Sequence, residues 1–164
     1  MSDTQKTQRR TPWRTAPELP QDVFAAWRKP DGAISPVAIL ATIDPDGAPR
    51  TAPFGSLRAI TPRLLRLCSW HGNDTYANLR RDGRVTVALV SSPDVAVSVR
   101  GQARVVREHM RHDEHFAIIE IDVEHVKNNM AYRIVIQEEI RITARDKFKP
   151  WYEGAMRELD VMGE

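Results

Sequence analysis

The sequence predicts a mainly β (α+β) fold, a barrel of about six to seven mostly antiparallel strands with a few short peripheral helices. Three observations carry this. Stretches such as 84–92 (RVTVALVSS) and 95–106 (VAVSVRGQARVV) alternate apolar and polar residues with a period of two, the mark of strands with one buried face. Turn chemistry punctuates them, at Asp44-Pro45-Asp46-Gly47 and Pro93-Asp94. The segments are long and their connections short, so closing the sheet on itself is the simplest way to bury one face of every strand.

The elements follow in order. Residues 20–29 (PQDVFAAWRK) predict a short helix, with Pro20 suited to a first turn and Val23, Phe24 and Trp27 on one face; Pro30, Asp31 and Gly32 end it. A β-hairpin comes next: 37–43 (VAILATI), a turn at 44–47, and a return strand at 48–60 (APRTAPFGSLRAI). Pro53 and Gly55 are out of place in a central strand. Taken alone they indicate an edge strand with a bulge, and a strand making room for a ligand is the other reading. Residues 64–70 (LLRLCSW) are a further strand. Asn73 or Asp74 caps a two-turn helix at 75–83, which Asp82-Gly83 ends. The strands 84–92 and 95–106 form a hairpin, with a bulge at Gly101. A charged connection (107–115) leads to a strand at 116–126, a final strand at 131–143 (AYRIVIQEEIRIT) and a C-terminal helix at 147–159.

Composition bounds the function. At 164 residues, 41 % hydrophobic and 28 % charged, the chain reads as one globular domain over 16–164 behind a basic leader, 1–15. That leader carries a net +3 and the whole chain +2, so the body, at −1, is nearly neutral and offers no field to steer a polyanion. A nucleic-acid barrel would interleave aromatics with Lys and Arg on exposed strands, and this one does not. The absence of an apolar leader or spanning stretch and the single cysteine, Cys68, set the expectation of a cytoplasmic protein off the membrane. Cys68 lies within a strand and reads as core. His109, His112 and His115 sit among charged residues and read as a solvated connector rather than a metal site. Neither a paired-carboxylate or nucleophile–base arrangement nor a glycine-rich dinucleotide fingerprint is present.

Several pieces, in this order, carry a resemblance: Arg50–Pro53 on the hairpin, Ser69 ending a strand, Thr75–Leu79 with Asn78, Asp82–Val85, and Arg100–Val106. They resemble the pyridoxamine 5'-phosphate oxidase-like family of FMN-binding split β-barrels over about two thirds of the chain. The resemblance implies a dimer with FMN in grooves at the interface. Carried over by position, it implies a flavin phosphate held by Arg50, Ser69 and Thr75, and a ring edge lying along Thr51, Ala52, Pro53, Phe54 and Gly55, with Asn78 matching a helical amide. A phosphate wants guanidinium, hydroxyls and the positive end of a helix, and 70–75 delivers a strand end and a helix start together.

Each candidate has a plain alternative. Arg50 by itself is an ordinary outward strand residue, Asn78 an internal cap, Trp70 either a flavin stacker or a core or lid side chain. His71 is a possible donor to a flavin or substrate oxygen. Trp151 and Tyr152 either reach across a dimer or pack on their own barrel. One departure weakens the phosphate assignment: many of the proteins it resembles carry Lys or Arg where Thr75 stands, with acidic Asp74 beside it, and Arg80, Arg81 or a partner arginine could replace that cation. The implied activity is an FMN-dependent oxidoreductase with a small-molecule substrate or electron donor. The family's substrate-binding Arg-x-His segment has no match in 147–164, which argues against vitamin B6 oxidation. A deazaflavin-dependent reductase and a non-catalytic flavin or haem binder are the alternatives.

Overall fold

Two thirteen-residue strands form the spine of the molecule, and they are long because their residues serve two layers at once. In the computed structural model, which describes residues 13–30 and 32–162, β1 is Thr15–Ala16, α1 Gln21–Trp27, β2 Ala38–Ile43, β3 Pro49–Phe54, β4 Arg58–Thr61, β5 Leu64–Trp70, α2 Asp74–Arg81, β6 Arg84–Ser91, β7 Val95–Arg107, β8 Phe116–Asn128 and α3 Lys149–Val161. The strands pair antiparallel in the order β3-β2-β6-β7-β8-β5-β4, with β1 added to β8. This is a split β-barrel.

Its interior is filled by the inward rows: Leu40 from β2, Leu65 and Leu67 from β5, Val87 and Leu89 from β6, Val97 and Val99 from β7, Ile119 and Ile121 from β8. Burying each such side chain contributes roughly 1.5–3 kcal/mol. α1 closes one mouth with Val23 and Trp27. Alternation breaks down in β8 because its other face is buried too. Cys68 and Ile118 lie under α3, against Ala155, Met156 and Leu159.

Two buried arginines fasten α3. Arg58, fully buried, donates Nη1 to Asp160 at 2.7 Å and Nη2 to the Ala33 carbonyl at 2.6 Å. Arg66 donates Nη1 to the Leu159 carbonyl at 2.6 Å and Nη2 to Glu120 at 2.8 Å. Arg66 thus supplies a donor to one of the carbonyls that a helix end leaves without an intrahelical partner.

The structure differs from the sequence expectations in three places. The predicted return strand 48–60 divides into β3 and β4, turning at Gly55, where a Cβ would stand 2.7 Å from the Ile34 carbonyl oxygen. β3 ends the sheet order, so Pro53 does sit on an edge strand. The predicted leader reaches only part way: Trp13 packs on the core and Thr15 pairs with Lys127, while residues 1–12 lie outside the described residues. The largest correction is the final strand at 131–143, which joins no ladder. It is tethered by Ile136 N–H to the Pro93 carbonyl (2.8 Å), Val37 N–H to the Ile140 carbonyl (2.9 Å), and Ser35 Oγ, which donates to the Ile142 carbonyl and accepts its N–H, both at 2.9 Å. Its apolar residues have the strand pattern but no cover within one chain: Tyr132, Ile134, Val135, Ile140 and Ile142 are all exposed. The bulge at Gly101 is present, as a register shift between Arg100 and Gly101.

Candidate functional site

Cross-strand partners share a face, so pairing registers define what each face of the barrel presents. Thr51 pairs with Ala41, Ala41 with Thr86, Thr86 with Arg100, and Arg100 with His125. The neighbouring row is Pro53, Ile39, Ala88, Ser98 and Lys127. Both rows point outward, because the intervening residues Leu40, Val87 and Val99 are core. The outer face of β3-β2-β6-β7 is therefore a floor of mostly small side chains around Ile39, with cations at its β7–β8 end. A cavity of about 440 Å³ lies over part of it, lined by Ala41, Pro49, Thr86, Arg100, Glu124 and His125 among others. Among the described residues no strand pairs the far edge of β3, so its backbone groups are open beside this floor.

The same alternation divides the predicted flavin strand. Thr51 and Pro53 are on the floor. Ala52 and Phe54 pair with Leu40 and Ala38 and face the core, so only their backbones are available to a ligand.

Arg50 is exposed but occupied. Its Nε donates to both oxygens of Asp44 at 2.8 and 2.9 Å, and its Nη1 lies 3.7 Å from Asp74 at the start of α2. The guanidinium holds Asp44 below the usual carboxylate range, with Asn78 helping. Asn78 donates Nδ2 to Thr42 Oγ1 (3.0 Å) and Asp44 (2.9 Å) and accepts from Arg81 at 3.1 Å, an internal tie between α2 and the β2–β3 hairpin. Arg81 also donates to the Ile43 carbonyl.

Thr75 and Ser69 are 1 % and 2 % exposed, Thr75 in the first turn of α2 and Ser69 near the end of β5. Asn73 caps that helix by accepting the Thr75 N–H at 2.9 Å. Trp70 is half exposed, its ring laid over Gly72, where a Cβ would stand 2.4 Å away. His71 Nε2 is 2.6 Å from the Glu108 carbonyl, and its ring meets Tyr76 and His109. Arg80 ion-pairs with Glu108, which also accepts from Tyr76 at 2.7 Å. Arg80 is thus paired, while Arg81 has only neutral acceptors, the Ile43 carbonyl and Asn78 Oδ1. Among the described residues no cluster of three or more His, Cys, Asp or Glu side chains forms a metal site. Trp151 packs on Phe116 of its own barrel at 4.7 Å.

A flavin makes two demands, a flat surface with hydrogen-bonding groups at its edge and a cradle for its phosphate. The floor fits the first. At the expected phosphate cradle of Arg50, Ser69 and Thr75, the two hydroxyls are buried within one chain and the guanidinium lies between Asp44 and Asp74. Arg100, exposed and without an ion-pair partner among the described residues, stands on the floor itself beside His125. Reading strands singly misses Thr86 and His125. The available signal is their outward parity, which becomes a row only once pairing partners are known.

The comparisons with known proteins agree with this architecture. The family model described as pyridoxamine 5'-phosphate oxidase matches residues 33–131, from just before β2 to just past β8. No curated protein matches the sequence. A pyridoxamine 5'-phosphate oxidase-like protein from Lactobacillus delbrueckii superposes with a TM-score of 0.55 at 21 % identity, covering 70 % of this chain and 98 % of that one. HupZ from Group A Streptococcus gives 0.53 at 18 %, covering 66 % and 97 %. An F420 reductase gives 0.54 at 15 %, covering 68 % and 100 %. At these identities the likeness establishes the fold.

Proposed function

The chain belongs to the pyridoxamine 5'-phosphate oxidase family, and from that premise we propose that it is a flavin-dependent oxidoreductase holding FMN on the floor between two copies of itself. The observation that carries this is the floor: outward rows of Thr51, Ala41 and Thr86 and of Pro53, Ile39, Ala88 and Ser98, beside an open strand edge. Small side chains in register leave a plane on which a fused heterocycle lies flat. Pro53 contributes no N–H there, so the β3 edge offers acceptors and only selected donors to the ring.

The residues take distinct parts in this reading. Arg100 and His125 receive the anionic end, with Thr86 Oγ1 as a neutral partner. Arg50 has the opposite parity on β3, and within one chain it is held by Asp44 and Asp74. The bound flavin supplies reversible hydride and electron transfer; the chain supplies binding, orientation and exclusion of water. The second copy covers the floor and the exposed apolar segment 131–142. The substrate is a small molecule other than a vitamin B6 phosphate, because α3 lacks the family's Arg-x-His character. No described helix is long and apolar enough to cross a membrane.

An absorbance spectrum taken as purified, and again after FMN addition and desalting, tests the reading. Retained flavin bands, weakened in Arg100→Ala, are the expected result. NAD(P)H bleaching with reoxidation in air distinguishes an enzyme from a storage protein. A colourless protein that leaves FMN fluorescence unquenched overturns FMN, and uptake of a deazaflavin or haem by that protein redirects the assignment.

A further inference from the structure

Four aromatic side chains line a cleft at the Phe116 end of β8, nine residues along that strand from His125. The cleft runs between the 143–148 segment and α3, has a volume of about 620 Å³, and is walled by Phe116, Phe148, Trp151 and Tyr152. That size lies within the range of small-molecule sites. The walls are set before any ligand arrives. Trp151 meets Phe116 at 4.7 Å and Tyr152 edge-on at 5.0 Å, and its Nε1 donates to Asp113 at 2.9 Å. Phe148 is half exposed, an aromatic face left to solvent.

The charges choose the ligand's sign. Asp113 is the carboxylate inside the cleft, and it is engaged twice, by Trp151 Nε1 and by the His115 N–H at 3.0 Å. The 145–149 stretch beside it carries Arg145, Lys147 and Lys149 and one acid, Asp146. Lys149 takes Asp146 at 2.8 Å and Lys147 lies over the Phe148 ring at 5.0 Å. Arg145 lines the cleft and has no ion-pair partner among the described residues. A guanidinium in this position pairs with a planar carboxylate in fork geometry while the rings stack on the ligand's body.

We propose that this cleft binds a planar aromatic carboxylate, with Arg145 on the carboxylate and Phe148 and Trp151 against the ring. The site is independent of the flavin reading, since it shares no residue with the floor. Titration of the full chain with 2-naphthoate, followed at the indole N–H signals of its four tryptophans, tests it; Trp151→Phe assigns the relevant signal. A saturable shift at Trp151 with Trp27 unmoved is expected. Arg145→Gln should weaken binding by about tenfold, the loss of one charge-assisted contact, and the neutral 2-naphthalenemethanol should bind correspondingly weakly. Arg145 is exposed, so this variant tests binding rather than folding. The proposal is overturned by a Trp151 signal that does not move, by an Arg145→Gln variant that binds equally well, or by FMN displacing naphthoate competitively.

Discussion

Arg50 and Asp44 hold each other across the β2–β3 turn, the guanidinium Nε bridging both carboxylate oxygens at 2.8 and 2.9 Å. The family resemblance makes Arg50 a phosphate ligand, and this contact is what stands in the way. Asp44→Asn removes the charge and leaves one acceptor for Asn78 and Arg50. FMN or inorganic phosphate should then bind several-fold tighter, as measured by fluorescence quenching or calorimetry. Unchanged affinity in the variant would take Arg50 out of the site altogether. The acid limb of stability should also flatten. Asp44 titrates below its ordinary value because of the Arg50 bond first and the Asn78 bond second, so its contribution is complete above the ordinary value and disappears as pH falls through the lowered one.

Lys29 makes a prediction at the other end of the scale. It stands in the left-handed region at φ +59°, donates Nζ to the Gly55 carbonyl at 2.8 Å, and is pulled down to about 7 by burial first and the nearby Arg58 charge second, against the pull of Asp160. Above pH 7 the folded chain carries fewer protons at this site than the unfolded chain, so stability rises with pH towards the ordinary value of 10.5. The urea midpoint should rise between about pH 7 and 8.5 in the native chain, and Lys29→Met should flatten that slope. A slope identical in both proteins would show that Lys29 keeps an ordinary pKa.

The pH window closes below 9 because Cys68 acts oppositely. Burial pushes its thiol up from 9.0 to about 11, against weaker help from Ser56 and Arg58. Its contribution is complete below the unfolded value and is lost as pH rises through the folded one. The kinetic consequence is simpler to measure. A thiol probe at pH 8 should react with native Cys68 only at the rate of opening, and at once in denaturant. Rapid labelling of the native chain would contradict the burial beneath α3.

Much of this was legible from period and punctuation. The 37–43, 64–70, 84–92 and 95–106 strands, the Asn73 cap and the Gly101 bulge each announce themselves within ten residues or so, because turn chemistry and alternation are local. The buried pair Arg66–Glu120 was not legible, since it joins strands 54 positions apart and looks in sequence like two outward charges. The floor was illegible for the same reason: its rows cross five strands out of chain order. The 131–143 segment failed differently. Its strand pattern is real, but a pattern states which residues need cover and not which molecule gives it.

That segment yields the last prediction. Ile134, Val135 and Ile140 are exposed on a stretch whose charges, Arg133 and Arg141 against Glu138 and Glu139, are of both signs. A two-fold contact places the same patch on both partners, so mixed signs allow it to meet itself without net repulsion. Covering each isoleucine contributes roughly 1.5–3 kcal/mol. On the proposed dimer, Ile134→Glu with Ile140→Glu should therefore weaken self-association in sedimentation equilibrium by at least about a hundredfold. The fold should be untouched, because both side chains are already in solvent within one chain. If the doubly substituted chain instead sediments as the native one does, the apolar arm is not the contact, and the cover over the floor must come from elsewhere.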